Sequence, residues 1–258
     1  MLLGLVLPVL VLPGLVLLGL VLLGRPGLAA QQDPHLGRYE ARVIVTGTDL
    51  RSRPAGMAAC LVDVLVKVSG DPTLRDDPRL PALAAHAADY ATGFDYWDRM
   101  SGIAHHDEQG SSDRPYNLTV RFDPARIDAA LRTLGRVPWA DPRPALRLRV
   151  HVTGSGTPFD VTAREPRAAG MRAALTDTAE KYGVRVRLPG DAAAAAAGVP
   201  LNGTLVLSQA ALGWIADWHL DWQGHAYAWG MRGVNFDAAF RDGVGGAAQV
   251  LSGHGRPR

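Results

Sequence analysis

Tyr39 to Thr46 alternates in polarity, with Val43 and Val45 on one face and Glu40 and Arg42 on the other, the period of a strand. Pro54 then opens a helical segment in which Met57, Leu61, Val64 and Val68 recur at three- and four-residue spacing, and Ser69-Gly70 stops it. An Ala-rich run predicts a second helix over Leu80 to Thr92, followed by a strand over Phe94 to Met100 and a polar loop over Ser101 to Arg114. The next strand is the clearest of this half: Tyr116, Leu118, Val120 and Phe122 point one way, Asn117, Thr119 and Arg121 the other. Asp123-Pro124 is a helix cap with proline at the first helical position, and Ile127, Ala130, Leu131 and Leu134 form one apolar stripe that ends at Gly135.

Three prolines in Val137 to Pro144 mark a linker. Beyond it a strand carries Leu146, Leu148, Val150 and Val152 inward and Arg147, Arg149 and His151 outward. A loop is expected over 154–163, a helix over 165–182, a short strand from Val184 to Leu188, and a helix or connector over the six alanines at 192–197. Strands follow at 203–210, 213–222 and 225–233, and a closing helix at 236–251 is weakened by Gly243, Gly245 and Gly246. Taking Gln223-Gly224 as a two-residue turn pairs Trp222 with His225, Leu220 with Tyr227, Trp218 with Trp229 and Ala216 with Met231. Those pairs put the large apolar residues on one face, and a one-residue slip would destroy the match. The pattern therefore predicts an α+β protein of two small domains, 38–136 and 145–252, the second with a mainly antiparallel sheet packed against helices.

Composition narrows the setting. With 47% hydrophobic and 20% charged residues the chain can bury a core, which excludes a disordered protein. A formal charge of +2 gives no electrostatic footprint for nucleic acid. The single cysteine, Cys60, allows no disulfide within the chain and reads as a buried thiol on a helix. Residues 2–24 hold no charge and are long enough to span a bilayer. Gly27-Leu28-Ala29 offers a signal-peptidase pattern, and Pro8 and Pro13 weigh against a permanent helix, so residues 1–30 read as a cleaved signal, with an inner-membrane anchor as the other reading. No Lys or Arg precedes the apolar run, which a start codon assigned too far downstream would explain.

Several segments share an order and spacing with one family. Val64-Leu65-Val66-Lys67-Val68-Ser69-Gly70, Val120-Arg121-Phe122-Asp123, Trp139 with Arg143-Pro144, and Trp214, Trp218 and Trp229 resemble the bacterial family catalogued as domain of unknown function 2066, over most of residues 39–250. The resemblance implies an exported envelope protein of Gram-negative bacteria and carries no catalytic residues. The short Ala-rich stretch 191–198 departs from it, since a fuller helix is expected there. The second half is also similar in outline to small periplasmic domains of envelope lipoproteins and of the Tol system's periplasmic protein, which bind other proteins.

Candidate chemistry is sparse. His105-His106-Asp107-Glu108 has metal-ligand character but no further ligand at a regular spacing, and a solvated loop is the simpler reading. Asp217, His219 and Asp221 alternate on the hairpin face opposite the tryptophans, yet no G-x-S-x-G supplies a nucleophile. Trp214, Trp218, Trp222 and Trp229 suggest a platform for a sugar or peptide, against ordinary core packing, with Trp214 and Trp222 the more exposed at the strand ends. Arg143, Arg147, Arg149 and His151 form a basic stripe suited to an anionic partner, in a chain with 25 Arg and 2 Lys. Gly154-Ser155-Gly156 lacks the spacing of a phosphate loop.

These features lead to the expectation of a non-enzymatic binding or assembly module of the cell envelope. It needs no cofactor or metal and no nucleic acid, and its partner is an envelope protein or cell-wall component. The contact residues expected are Trp214, Asp217, His219, Trp222, Arg147 and Arg149. A divergent periplasmic hydrolase, or a carbohydrate- or peptide-binding protein using the 213–233 hairpin, is the alternative.

Overall fold

The computed structural model describes residues 36–102, 114–192 and 197–258. Strand β1 (Glu40–Thr46) leads into helix α1 (Arg53–Ser69), which ends where Gly70 takes a left-handed φ of 74° and returns its N–H to Val66 O. Helix α1 is buried on nearly every side: Asp63, Val66 and Lys67 lie inside along with the expected stripe of Met57, Leu61, Val64 and Val68. A helix so covered is the centre of a core, not the face of one.

The Ala-rich run forms two short pieces, α2 (Leu80–Ala84) and α3 (Ala87–Tyr90), and not one helix to Thr92. The chain leaves helix at Ala91 because strand β2 (Ala91–Asp98) pairs there with β3 (Pro115–Phe122). Sheet pairing overrides the modest helix propensity of so short a segment. Together β1, β3 and β2 make a three-stranded antiparallel sheet with β3 in the middle, and Leu118, Val120 and Phe122 face α1 and its neighbours in the core. Asp123 caps α4 (Pro124–Thr133) by accepting the Arg126 N–H at 2.9 Å, as the Asp-Pro pair predicts.

The second sheet begins with β4 (Leu146–Thr153), its leucines and valines buried in strict alternation. Two-residue strands β5 (Phe159–Asp160) and β6 (Val186–Arg187) both pair with β4, the first lying inside the segment expected to be loop. Helix α5 (Ala169–Tyr182) connects them. Strand β7 (Val199–Ser208) runs parallel to β4, and β8 (Gly213–Trp222) and β9 (His225–Val234) extend the sheet antiparallel, giving the order β5-β4-β7-β8-β9. The observed hairpin register joins Trp222 to His225, Leu220 to Tyr227, Trp218 to Trp229 and Ala216 to Met231, as the turn chemistry dictates, with Gln223 and Gly224 at φ 50° and 78°.

Helix α6 (Phe236–Leu251) packs across β7, β8 and β9 and against α5. Its glycines are contact points: an added Cβ at Gly243 would meet the Trp218 ring at 2.3 Å, and one at Gly246 the Trp229 ring at 2.6 Å. The architecture is α+β, and one continuous core runs from Ala41 and Leu61 through Leu148 and Trp218 to Leu251. The proline-rich segment 137–144 does not hang free, because Trp139 and Arg143 are 9% and 8% exposed. Among the described residues no helix is long and apolar enough to cross a membrane. The apolar stretch 2–24, the proposed cleavage region and most of the alanine run lie outside the described residues.

Candidate functional site

Strand alternation places Asp217, His219 and Asp221 on the sheet face turned away from α6, all three exposed. His219 Nε2 lies 3.2 Å from Asp221 Oδ1. On β4 the same alternation exposes Arg149 and His151, and His151 Nδ1 sits 2.8 Å from Asp160 Oδ1. Arg147, half-buried, donates from Nε to Gly198 O at 3.1 Å. The register aligns these strands. Arg149 stands beside Asn202, then His219, then Ala228, and His151 beside Thr204, then Asp217, then Gly230. Arg147, Arg149, Asp217 and His219 therefore share one open face, the basic and acidic groups two strands and about 10 Å apart. Beyond β8, the edge strand β9 offers only Ala226, Ala228 and Gly230 beside the acidic column, which leaves it open to a partner.

The tryptophans lie on the other face. Trp218 and Trp229 are in the core, Trp218 with its ring centroid 6.2 Å from Phe240 and Trp229 donating its Nε1–H to Asp242 O at 3.2 Å. Trp214 and Trp222, at the two ends of β8, are half-buried against that core. Asp217 and His219 thus cannot meet Trp214 and Trp222 around one ligand, and the neighbours that register gives them include no serine or cysteine.

Arg143 leaves the expected stripe altogether. It precedes β4, is buried, and donates to Lys67 O at 2.8 Å and Val68 O at 2.9 Å, with Tyr182 O and Gly183 O each at 3.4 Å. Its guanidinium lies 4.5 Å over the Trp139 ring. One cation therefore caps the C-terminal carbonyls of α1 and α5 together, where the helix dipoles favour positive charge. Burial lowers its pKa to about 10.

A serine, a histidine and an aspartate do come together where the ends of α1 and α6 meet, a grouping that sequence spacing could not reveal. Ser252 Oγ is 2.8 Å from His254 Nδ1 and 3.1 Å from Gly70 O. Asp71, fully buried, spends its carboxylate on Thr73 N–H, Thr73 Oγ1–H and Arg136 Nε–H, at 2.9, 2.6 and 2.6 Å. The His254 ring stands beside Ser252, but the Asp71 carboxylate bonds Thr73 and Arg136 and does not orient that ring, so the pair lacks the third member of a triad; the cluster ties the end of α6 to the end of α1. Cys60, buried in α1, is equally unsuited to chemistry, since burial pushes its thiol up to about 12. Among the described residues no group of three or more His, Cys, Asp or Glu could hold a metal, and His105-His106-Asp107-Glu108 lies outside them.

Residues 33–140 match the family model described as Domain of unknown function (DUF8605). The match covers the first sheet, α1 to α4 and the run to Trp139, and leaves the second sheet outside it. It is a domain of unknown function, the kind of family the resemblance implied, but a different one from the 2066 family. No curated protein and no solved structure matches the chain.

Proposed function

We propose that the chain is a non-enzymatic binding or assembly module of the bacterial cell envelope, and that its partner, an envelope protein or cell-wall component, docks on the open face of the second sheet. Residues 1–30 would act as an export signal, or residues 2–24 as an inner-membrane tether, in line with the resemblance to the 2066 family. The observation that carries the reading is the convergence of Arg147 and Arg149 from β4 with Asp217, His219 and Asp221 from β8 on one exposed surface. Charges of both signs held at fixed spacing on a rigid sheet suit recognition of a complementary protein surface, since such patterns set register and specificity. The free edge at β9, ten residues without proline or lysine, adds a backbone surface that an extended segment can pair with.

Cross-linking in intact cells with a C-terminally tagged chain tests the proposal. Recurrent capture of one envelope protein or cell-wall component by the wild type, lost in Arg149→Glu/Asp217→Arg, is the expected result. Equal capture by the double variant, or no specific capture from a properly exported chain, would overturn it.

A further inference from the structure

Arg143 stands at the back of a cleft of about 820 Å³ bounded by α5, β6 and the Lys67 end of α1. Six basic side chains line this cleft against two carboxylates, Glu180 and Asp191, an excess that the near-neutral chain shows nowhere in its overall composition. What those cations bond to matters more than their number. Arg143 donates to the carbonyls of Lys67 and Val68, Arg172 to Thr162 O at 3.1 Å, Arg185 to Arg143 O at 3.5 Å, and Arg187 to Ala197 O. Lys67 Nζ likewise donates to Glu40 O at 2.8 Å. Carbonyls orient a guanidinium without neutralising it, so the four arginines leave a positive field in the cleft, whereas nearby carboxylates, Glu180 first, act on the Lys67 ammonium.

Acids offset part of it. Arg38 is paired with Asp141, and Glu180, 3.9 Å from Arg42, also favours the Lys67 charge. Asp191 accepts the Leu188 N–H at 2.6 Å, so four arginines held by carbonyls carry the excess. Burial draws the Lys67 ammonium down to about 8, so a cation is held at the back of the cleft at a cost that a bound anion would relieve. The rest of the wall is aliphatic, with Ala179, Val184, Val186 and Leu188 contributing. None of its lining residues is aromatic, so it offers no stacking platform for a nucleobase or a sugar ring. The volume falls in the range of small-molecule sites.

We propose that this cleft binds an anionic amphiphile, a carboxylate or phosphate on an aliphatic chain, whose head group takes the arginine N–H donors and whose chain lies on the aliphatic wall. The cleft adjoins the open sheet face where Arg187 stands beside Arg147, but its ligand is a small amphiphile and not the partner docked on that face. Planar guanidinium forks match both carboxylate and phosphate oxygens, which is why the head group is given as their shared chemistry.

Calorimetric titration of the full chain with decyl phosphate, decanoate, inorganic phosphate and uncharged decyl maltoside tests it. Decyl phosphate or decanoate should bind more tightly than inorganic phosphate and than decyl maltoside by about tenfold or more, because head and chain both contribute. Which of the two binds better identifies the head group. Arg185→Gln/Arg187→Gln should weaken binding by about tenfold while the thermal transition stays in place. Equal affinity for decyl phosphate and decyl maltoside, equal affinity for decyl phosphate and inorganic phosphate, or no binding of either decyl anion would each overturn the proposal. Those three comparisons use the wild-type chain, so they stand even where the double variant does not fold.

Discussion

Gly243 shows how one residue can be read with the wrong sign. Three glycines within four positions of α6 predict a weak helix by propensity alone, because an exposed interior glycine costs about 1 kcal/mol against alanine. The structure reverses the argument: Trp218, 2% exposed, occupies the space that a Cβ at Gly243 would need. Gly243→Ala should therefore destabilise the protein by about 2 kcal/mol or more in urea unfolding, overpacking outweighing the propensity gain. A more stable variant would show that the ring yields. One residue along, burial raises the Asp242 carboxyl to about 6, and its Oδ2 is buried without a hydrogen-bond partner. A carboxyl whose folded pKa exceeds its unfolded value holds its proton better in the fold, so stability is lost as pH rises through that interval, from about 4 to about 6. Asp242→Asn should be more stable than the wild type by about 1–2 kcal/mol at pH 7.5, the gap closing toward pH 4, as denaturant titrations at both pH values would measure.

At the scale of elements, legibility follows the range of the interaction that decides each one. The β8–β9 register could be read because the turn at Gln223-Gly224 and the pairing of Trp218 with Trp229 lie within a few residues of each other. The face that carries Asp217 and His219 could be read for the same reason, since alternation alone assigns it. That Arg147 and Arg149 share this face could not, because the parallel pairing of β4 with β7 spans a long crossover. The exit from helix at Ala91 was hidden likewise, being set by the partner strand β3. Arg143 is the extreme case: its carbonyl partners on α1 lie 75 and 76 positions earlier in the chain, and no local pattern separates it from the exposed arginines that follow. Because one planar guanidinium serves two helix ends, Arg143→Lys should cost about 2–3 kcal/mol in chemical denaturation, a single ammonium being unable to satisfy both sets of carbonyls. Unchanged stability would show that the caps are dispensable.

For the whole molecule the same anchor bears on how the two sheets behave as folding units. The proline-rich segment reads as a linker, yet the two halves share a continuous core and several polar ties. Lys181 reaches Asp63 at 3.3 Å, Ser252 donates to Gly70 O at 3.1 Å, and Arg143 binds both helix ends. Residues 33–140, the stretch matched by the family model, would keep α1 without any of these partners. Two native probes weight the halves differently, since four of the six tryptophans lie in the second sheet. The Cys60 thiol is fully buried in α1, and the Trp218 and Trp229 rings are buried in the second sheet. If the core is one cooperative unit, thiol labelling and tryptophan fluorescence should report the same urea midpoint, and the fragment 33–140 should show no cooperative transition of its own. Two separated midpoints, with a fragment that unfolds cooperatively, would mean that each sheet carries its own stability and that Arg143 joins two domains and not one core.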